Sequence, residues 1–272
     1  MLLQRILTAL ILTPLAVAII LAPPTWLFAL IVAAVFLGAQ WEWACLAGLH
    51  GRGARALSLL LTLAIMVALW FTQATPWLWL AVILAGFAWW LVSLGWLRAY
   101  TFAASPSSEH TRLKLGVGLL VLVPAWVAAA TLHGCPQGPW WTLLALCIVW
   151  SADIGAFFSG RAFGKRKLAP HISPGKTRAG AWGALAAGII VAAIGGWLLG
   201  LRGAALAGLA ILGAVTVGAS IVGDLLESLM KRHAEIKDSG SLFPGHGGLL
   251  DRLDSVFAAL PVFVLGKIVL GL

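Results

Sequence analysis

Apolar residues run along this chain in long blocks, each closed by a short polar stretch. Nine blocks come near the length needed to cross a hydrocarbon core of about 30 Å. They cover roughly 6–22, 25–47, 56–72, 76–97, 115–133, 139–160, 180–200, 203–226 and 255–271. Helices satisfy their own backbone hydrogen bonds, so such blocks cross lipid as helices. The pattern predicts an all-α polytopic membrane protein with about nine transmembrane helices. The first block, behind Met1 to Arg5, has the outline of a signal peptide. It reads better as a span, because no clear Ala-x-Ala site precedes a soluble domain and Pro14 is tolerable in a membrane helix.

Composition agrees. The chain has 272 residues, 61% of them hydrophobic and 10% charged, which belongs to an integral membrane protein. A net charge of +9 raises the question of nucleic acid, but the basic residues punctuate apolar blocks and form no basic domain. Membrane orientation accounts for them: with the N-terminus inside, sixteen of the eighteen Lys and Arg residues fall on cytoplasmic connections. Nine spans then place the C-terminus on the opposite face, the periplasm in the expected setting of a bacterial inner membrane. Cys45, Cys135 and Cys147 are scattered and show neither a disulfide framework nor metal-ligand spacing.

The polar loop from Ala103 to Thr111 divides the chain into an N-terminal scaffold (1–104, about four helices) and a C-terminal catalytic region (105–272, about five helices). The catalytic region carries two cytoplasmic loops, 161–179 and 227–254. In the scaffold, Trp26, Trp41, Trp43, Trp70, Trp77 and Trp79 lie near block ends, as an aromatic belt would. Glu42 stands near the cytoplasmic end of the second block, either as an interfacial residue or with a minor polar part in the site. The eighth block is rich in Gly and Ala, which predicts a slim, tightly surrounded helix delivering Asp224 to the site.

Candidate chemistry concentrates in one polar island. Six of the nine acidic residues lie between Asp224 and Asp254: Asp224, Glu227, Glu235, Asp238, Asp251 and Asp254. Asp251 and Asp254 are three apart and share a face in a helix. Carboxylates held together repel unless a proton or cation sits between them. Hard oxygen ligands suit Mg²⁺, bound by one or two carboxylates plus substrate phosphates, so Asp224, Asp251 and Asp254 are the expected ligands. Pro244-Gly245-His246-Gly247-Gly248 supplies a turn whose backbone N–H groups can face phosphate. Lys231, Arg232, Lys237 and Arg252 supply positive charge. A second loop holds Ser173-Pro174-Gly175-Lys176-Thr177, a turn with two hydroxyls and a lysine. It is not a P-loop, because the first glycine is absent at the required spacing. Asp153 lies inside the sixth block, and an ionisable residue there faces the protein interior or a wet cavity.

Ser228-Leu-Met-Lys231-Arg232, Lys237-Asp238-Ser-Gly, Pro244-Gly-His-Gly-Gly248 and Asp251-Arg-Leu-Asp254 together closely resemble the signature of phosphatidate cytidylyltransferases, also called CDP-diacylglycerol synthases. The Asp153 segment and Ser173–Thr177 resemble further motifs of that family. The resemblance implies cytidylyl transfer from CTP to phosphatidic acid at a bilayer, with Mg²⁺ and a possible second cation, in a possible homodimer. It implies catalytic roles for Asp224, Lys231, Asp251 and Asp254. It implies phosphate contacts for Ser173, Lys176, Thr177, Arg232, Lys237, His246, Gly247, Gly248 and Arg252, with Asp153 and Asp238 in support. In one place the chain departs from the family pattern: Ala179, not an acid, precedes Gly180. Two rivals share parts of the pattern, a CTP-dependent lipid or polyprenol kinase and a transporter with a charged gate. Against the transporter, the charges gather at one face and no internal repeat is visible.

Overall fold

The computed structural model describes residues 2–240, 242 and 247–272, with only the backbone of 2–9. Among these, nine helices follow one another: α1 (Leu2–Leu21), α2 (Thr25–Leu46), α3 (Arg52–Trp70), α4 (Pro76–Arg98), α5 (Ser108–Gly134), α6 (Gly138–Phe163), α7 (Arg178–Leu198), α8 (Gly203–His233) and α9 (Leu250–Val269). Helices α2 to α8 are each long and apolar enough to cross a membrane, the pattern of a multi-pass membrane protein. Helix α9 carries Asp251, Arg252, Asp254 and Lys267 and falls outside that group, as does α1, whose apolar stretch is Leu10–Leu21. Between α6 and α7 the basic loop forms a short antiparallel ribbon, β1 (Lys167–Ala169) and β2 (Ser173–Thr177), which the all-helical expectation did not include. Lys167 pairs with Thr177 and Ala169 with Ser173.

Several helices outrun the apolar blocks that announced them. Helix α8 continues through Asp224 to His233, α5 begins at Ser108, and α9 begins at Leu250. Hydropathy marks where lipid ends, whereas a helix ends where its backbone finds other partners. Ser107 Oγ accepts from His110 N at 3.2 Å and opens α5 before its apolar part. Thr177 does the same for α7, accepting from Gly180 N at 3.1 Å.

Helix α5 is the most enclosed of the seven long apolar helices, packed by α2, α4, α6 and α9. Two indoles fix it to α2. Trp126 Nε1 donates to Ala29 O at 2.9 Å, and Trp43 Nε1 donates to Lys114 O at 2.8 Å. An indole N–H needs such a partner once buried. The aromatic-belt expectation therefore suits Trp26 and Trp77, which are exposed, but not Trp43 and Trp79, which are interior. Helix α8 is less enclosed than its small residues promised, since Ile211 and Val215 face outward. Its C-terminal half is the buried part, from Leu225 to Met230.

The second half of the chain packs in sequence, α6 on α7, α7 on α8 and α8 on α9. Gly223 sets the last of these distances. A Cβ there would overlap the carbonyl of Asp254. That close approach brings Asp224 and Asp254, on neighbouring helices, to one place.

Candidate active site

Helix α8 presents Asp224 and Glu227, three residues apart and so on one face. Helix α9 presents Asp254 against them. One carboxylate oxygen from each lies within 4.8 Å of the others. Glu227 is buried, and neither of its carboxylate oxygens makes a hydrogen bond of good geometry among the described residues, although Oε2 lies 2.5 Å from Lys231 Nζ. Burying carboxylate oxygens without enough donors is costly unless a cation shares them. Three convergent hard-oxygen ligands, one of them poor in donors, fit a divalent ion such as Mg²⁺.

Asp251 adjoins the trio at Glu227 but has other partners as well. Its Oδ1 accepts from Lys231 Nζ at 2.6 Å. Its Oδ2 accepts from Ser239 N at 2.9 Å, Ser239 Oγ at 3.0 Å and Gly248 N at 2.8 Å. Those bonds occupy both oxygens and fix the loop before α9. Lys231 also lies 2.5 Å from Glu227 Oε2, so it ties Asp251 to the trio. Asp251 and Asp254 share a helix, yet their carboxylates turn to different partners. The ligand trio that the geometry assembles contains Glu227 in the place expected for Asp251. Sequence reasoning gave Glu227 no role, although its position three residues after Asp224 was the signal for it.

The basic ribbon and the acidic end of α8 meet. Lys176, at the end of β2, ion-pairs with Asp224 of α8. Asp153, Arg161, Lys176, Thr177, Asp224 and Ser255 line an open cavity of about 620 Å³ between α6, α7, the ribbon and α8. Arg161 is a further cation there that the sequence did not single out. The ribbon is held from below by Arg232, whose Nε donates to Ile172 O at 3.1 Å. Nearby, Tyr100 stacks on His171 at 4.8 Å and its carbonyl contacts His233 Nε2 at 2.7 Å.

Other expected phosphate contacts have different occupations. Thr177 Oγ1 caps α7, and Gly248 N is bonded to Asp251. Gly247 adopts φ +81°, a left-handed conformation that a side chain disfavours, and a Cβ there would press on Asp251. Ser173 is half-buried on β2. Lys237, Asp238 and Arg252 are exposed. His246, with Pro244 and Gly245, lies outside the described residues.

A carboxylate trio at the polar end of an apolar bundle, with a lysine and an arginine on the adjoining cavity, is a place for phosphate esters and a metal. Comparison with known proteins narrows this. The family model described as "Cytidylyltransferase family" matches residues 3–269. The chain belongs to the cytidylyltransferase family. A phosphatidate cytidylyltransferase of Pseudomonas aeruginosa is 44% identical over 97% of this chain and 96% of its own length. One of Haemophilus influenzae is 35% identical, over 97% of both chains. One of Bacillus subtilis is 41% identical over 43% of each chain. In this cytidylyltransferase Lys176 is joined through Asp224 to the carboxylate cluster.

Proposed function

We propose that this cytidylyltransferase moves the cytidylyl group of CTP onto phosphatidic acid, giving CDP-diacylglycerol and pyrophosphate. The observation that carries the reading is the cluster of Asp224, Glu227 and Asp254, joined through Asp224 to Lys176 on an open cavity that Asp224 and Lys176 both line. The substrates follow the names of the relatives. A lipid phosphate oxygen attacks the α-phosphorus of CTP, and the bond to the β-phosphate oxygen breaks. The attacking phosphate is already an anion at neutral pH, so no general base is required. The barrier is set by bringing anions together and by charge on the departing pyrophosphate.

Asp224, Glu227 and Asp254 would hold Mg²⁺, which when bound neutralises phosphate charge and orients the leaving group. Lys176 and Arg161 face the cavity and meet phosphate oxygens. Lys231 holds Asp251 and Glu227 in place. Asp153, on the cavity wall, helps hold these cations in position.

Labelled CTP tests the reading. Purified protein with phosphatidic acid and Mg²⁺ should pass α-phosphate label into lipid. Entry of γ-phosphate label instead would establish the kinase alternative.

The site faces the cytoplasm of a bacterial inner membrane in this proposal, with nine spans, N-terminus inside and C-terminus in the periplasm. Reporter fusions after Gly51, Ser107 and Lys176 should then read cytoplasmic, and one at Leu272 periplasmic. A cytoplasmic Leu272 would remove one span from the count. A homodimer belongs to the same proposal, on family resemblance.

A further inference from the structure

Helix α9 carries Asp251 and Asp254, yet its own sequence does not cap it. Leu249 sits at the N-cap and offers no side-chain acceptor. The first N–H groups of a helix need partners, and they favour negative charge. Here a distant acid supplies both. Glu42, on α2, accepts from Leu249 N at 3.0 Å through Oε1 and from Leu250 N at 2.8 Å through Oε2. Ser239 Oγ lies 2.8 Å from the same Oε2 and 3.0 Å from Asp251 Oδ2, so its one proton can go to either carboxylate. The backbone has been fitted to this carboxylate. A Cβ on Gly240 or on Gly248 would collide with it. Asp251 in turn accepts from Lys231, which forms an ion pair with Glu227.

We propose that Glu42 is a positioning residue for the metal site: it caps α9 from α2 and so fixes where Asp254 stands relative to Asp224 and Glu227. It touches neither substrate nor metal. The inference rests on the metal assignment above, but not on which group of CTP is transferred. Asp254 is in the first turn and a half of α9, so a helix start that frays or swings moves it directly. Ligand geometry is sensitive to such shifts, and Mg²⁺ tolerates little departure from its octahedral distances. Helix α2 belongs to the half read from the sequence as scaffold, and Glu42 is its link to the carboxylates.

Mn²⁺ reports the site without turnover. Titration of purified protein with Mn²⁺, followed by the electron paramagnetic resonance of the free ion, gives affinity and stoichiometry separately. Glu42→Ala should weaken Mn²⁺ affinity roughly two- to thirtyfold, the factor that corresponds to losing a helix cap, with stoichiometry unchanged. Glu42→Gln keeps an acceptor for Leu249 N and loses the charge, so it should fall between Ala and parent. It also carries the test if the alanine variant does not fold. In turnover, kcat at saturating Mg²⁺ should fall more than KM for CTP rises. A residue that merely supports folding would lower the number of competent molecules and leave the affinity of the rest at the parental value. That result, or parental affinity in both variants, overturns the proposal. So does a parent that binds no Mn²⁺. A parent that binds Mn²⁺ but transfers no α-label removes the proposed reaction, and the affinity comparison still decides the role of Glu42.

Discussion

Asp254→Asn should lower kcat by about a hundred- to a thousandfold, the range observed when one preorganised electrostatic group is lost from a catalytic site, and should raise the Mg²⁺ concentration needed for half-activity. The substitution keeps the volume of the side chain and the acceptor for Ser255 N, which Asp254 Oδ1 now takes at 2.6 Å. Packing should therefore survive, and the protein should elute from detergent as the parent does. What is lost is one of the three carboxylates proposed to hold the metal. Glu227→Gln should behave alike, which separates it from an ordinary buried acid. Asp251→Asn also loses activity, by a different route. It weakens the pairing with Lys231 and breaks the fit of an acceptor to the Ser239 and Gly248 amides. Its Mg²⁺ requirement should move less than that of Asp254→Asn. Steady-state kinetics over a Mg²⁺ series checks all three. An Asp254→Asn variant with parental kcat and Mg²⁺ curve would remove the carboxylate trio as a metal site.

The contrast between Asp251 and Asp254 shows what the sequence holds and what it does not. Spacing placed both on one helix face, which is correct along the helix axis. Which partner each carboxylate meets depends on α8 and on the loop before α9, and neither is encoded in a three-residue interval. Glu227 was hidden for the same reason. Its spacing from Asp224 was plain, but only the close approach of α8 and α9 at Gly223 turns a helix face into a ligand set. The helices were legible, seven of them long and apolar enough to cross a membrane, because hydropathy and a cost in unpaired backbone act locally. Their ends were not, because Ser107 and Thr177 extend α5 and α7 by capping, beyond the apolar blocks. Glu42 lies furthest from legibility: its partners are Ser239, Leu249 and Leu250, about two hundred positions on.

Lys176→Met should show the opposite combination of effects. Lys176 faces the cavity and pairs with Asp224, one of the three proposed ligands. Its charge therefore competes with a cation for that carboxylate while being available to a phosphate oxygen. Removing it should leave Mg²⁺ binding unchanged or somewhat tighter. Turnover should still fall roughly ten- to a thousandfold, as for loss of one charge-stabilising group. The division between kcat and KM carries the mechanism. A lysine that holds substrate and transition state equally would raise KM alone, whereas one that meets charge growing on departing pyrophosphate lowers kcat. The ribbon favours the second outcome. Arg232 fixes Ile172, β1 pairs with β2, and Thr177 caps α7, so Lys176 is presented from a braced segment rather than a loose loop. A preorganised charge contributes most where charge appears during the reaction. Lys176→Arg keeps the charge but replaces a compact ammonium with a planar fork, so it should recover only part of the rate. A variant with reduced kcat and a raised Mg²⁺ requirement would instead mean that Lys176 acts by holding Asp224 in place. Unchanged kinetics in Lys176→Met would leave the basic ribbon as a topology anchor and would separate it from the chemistry.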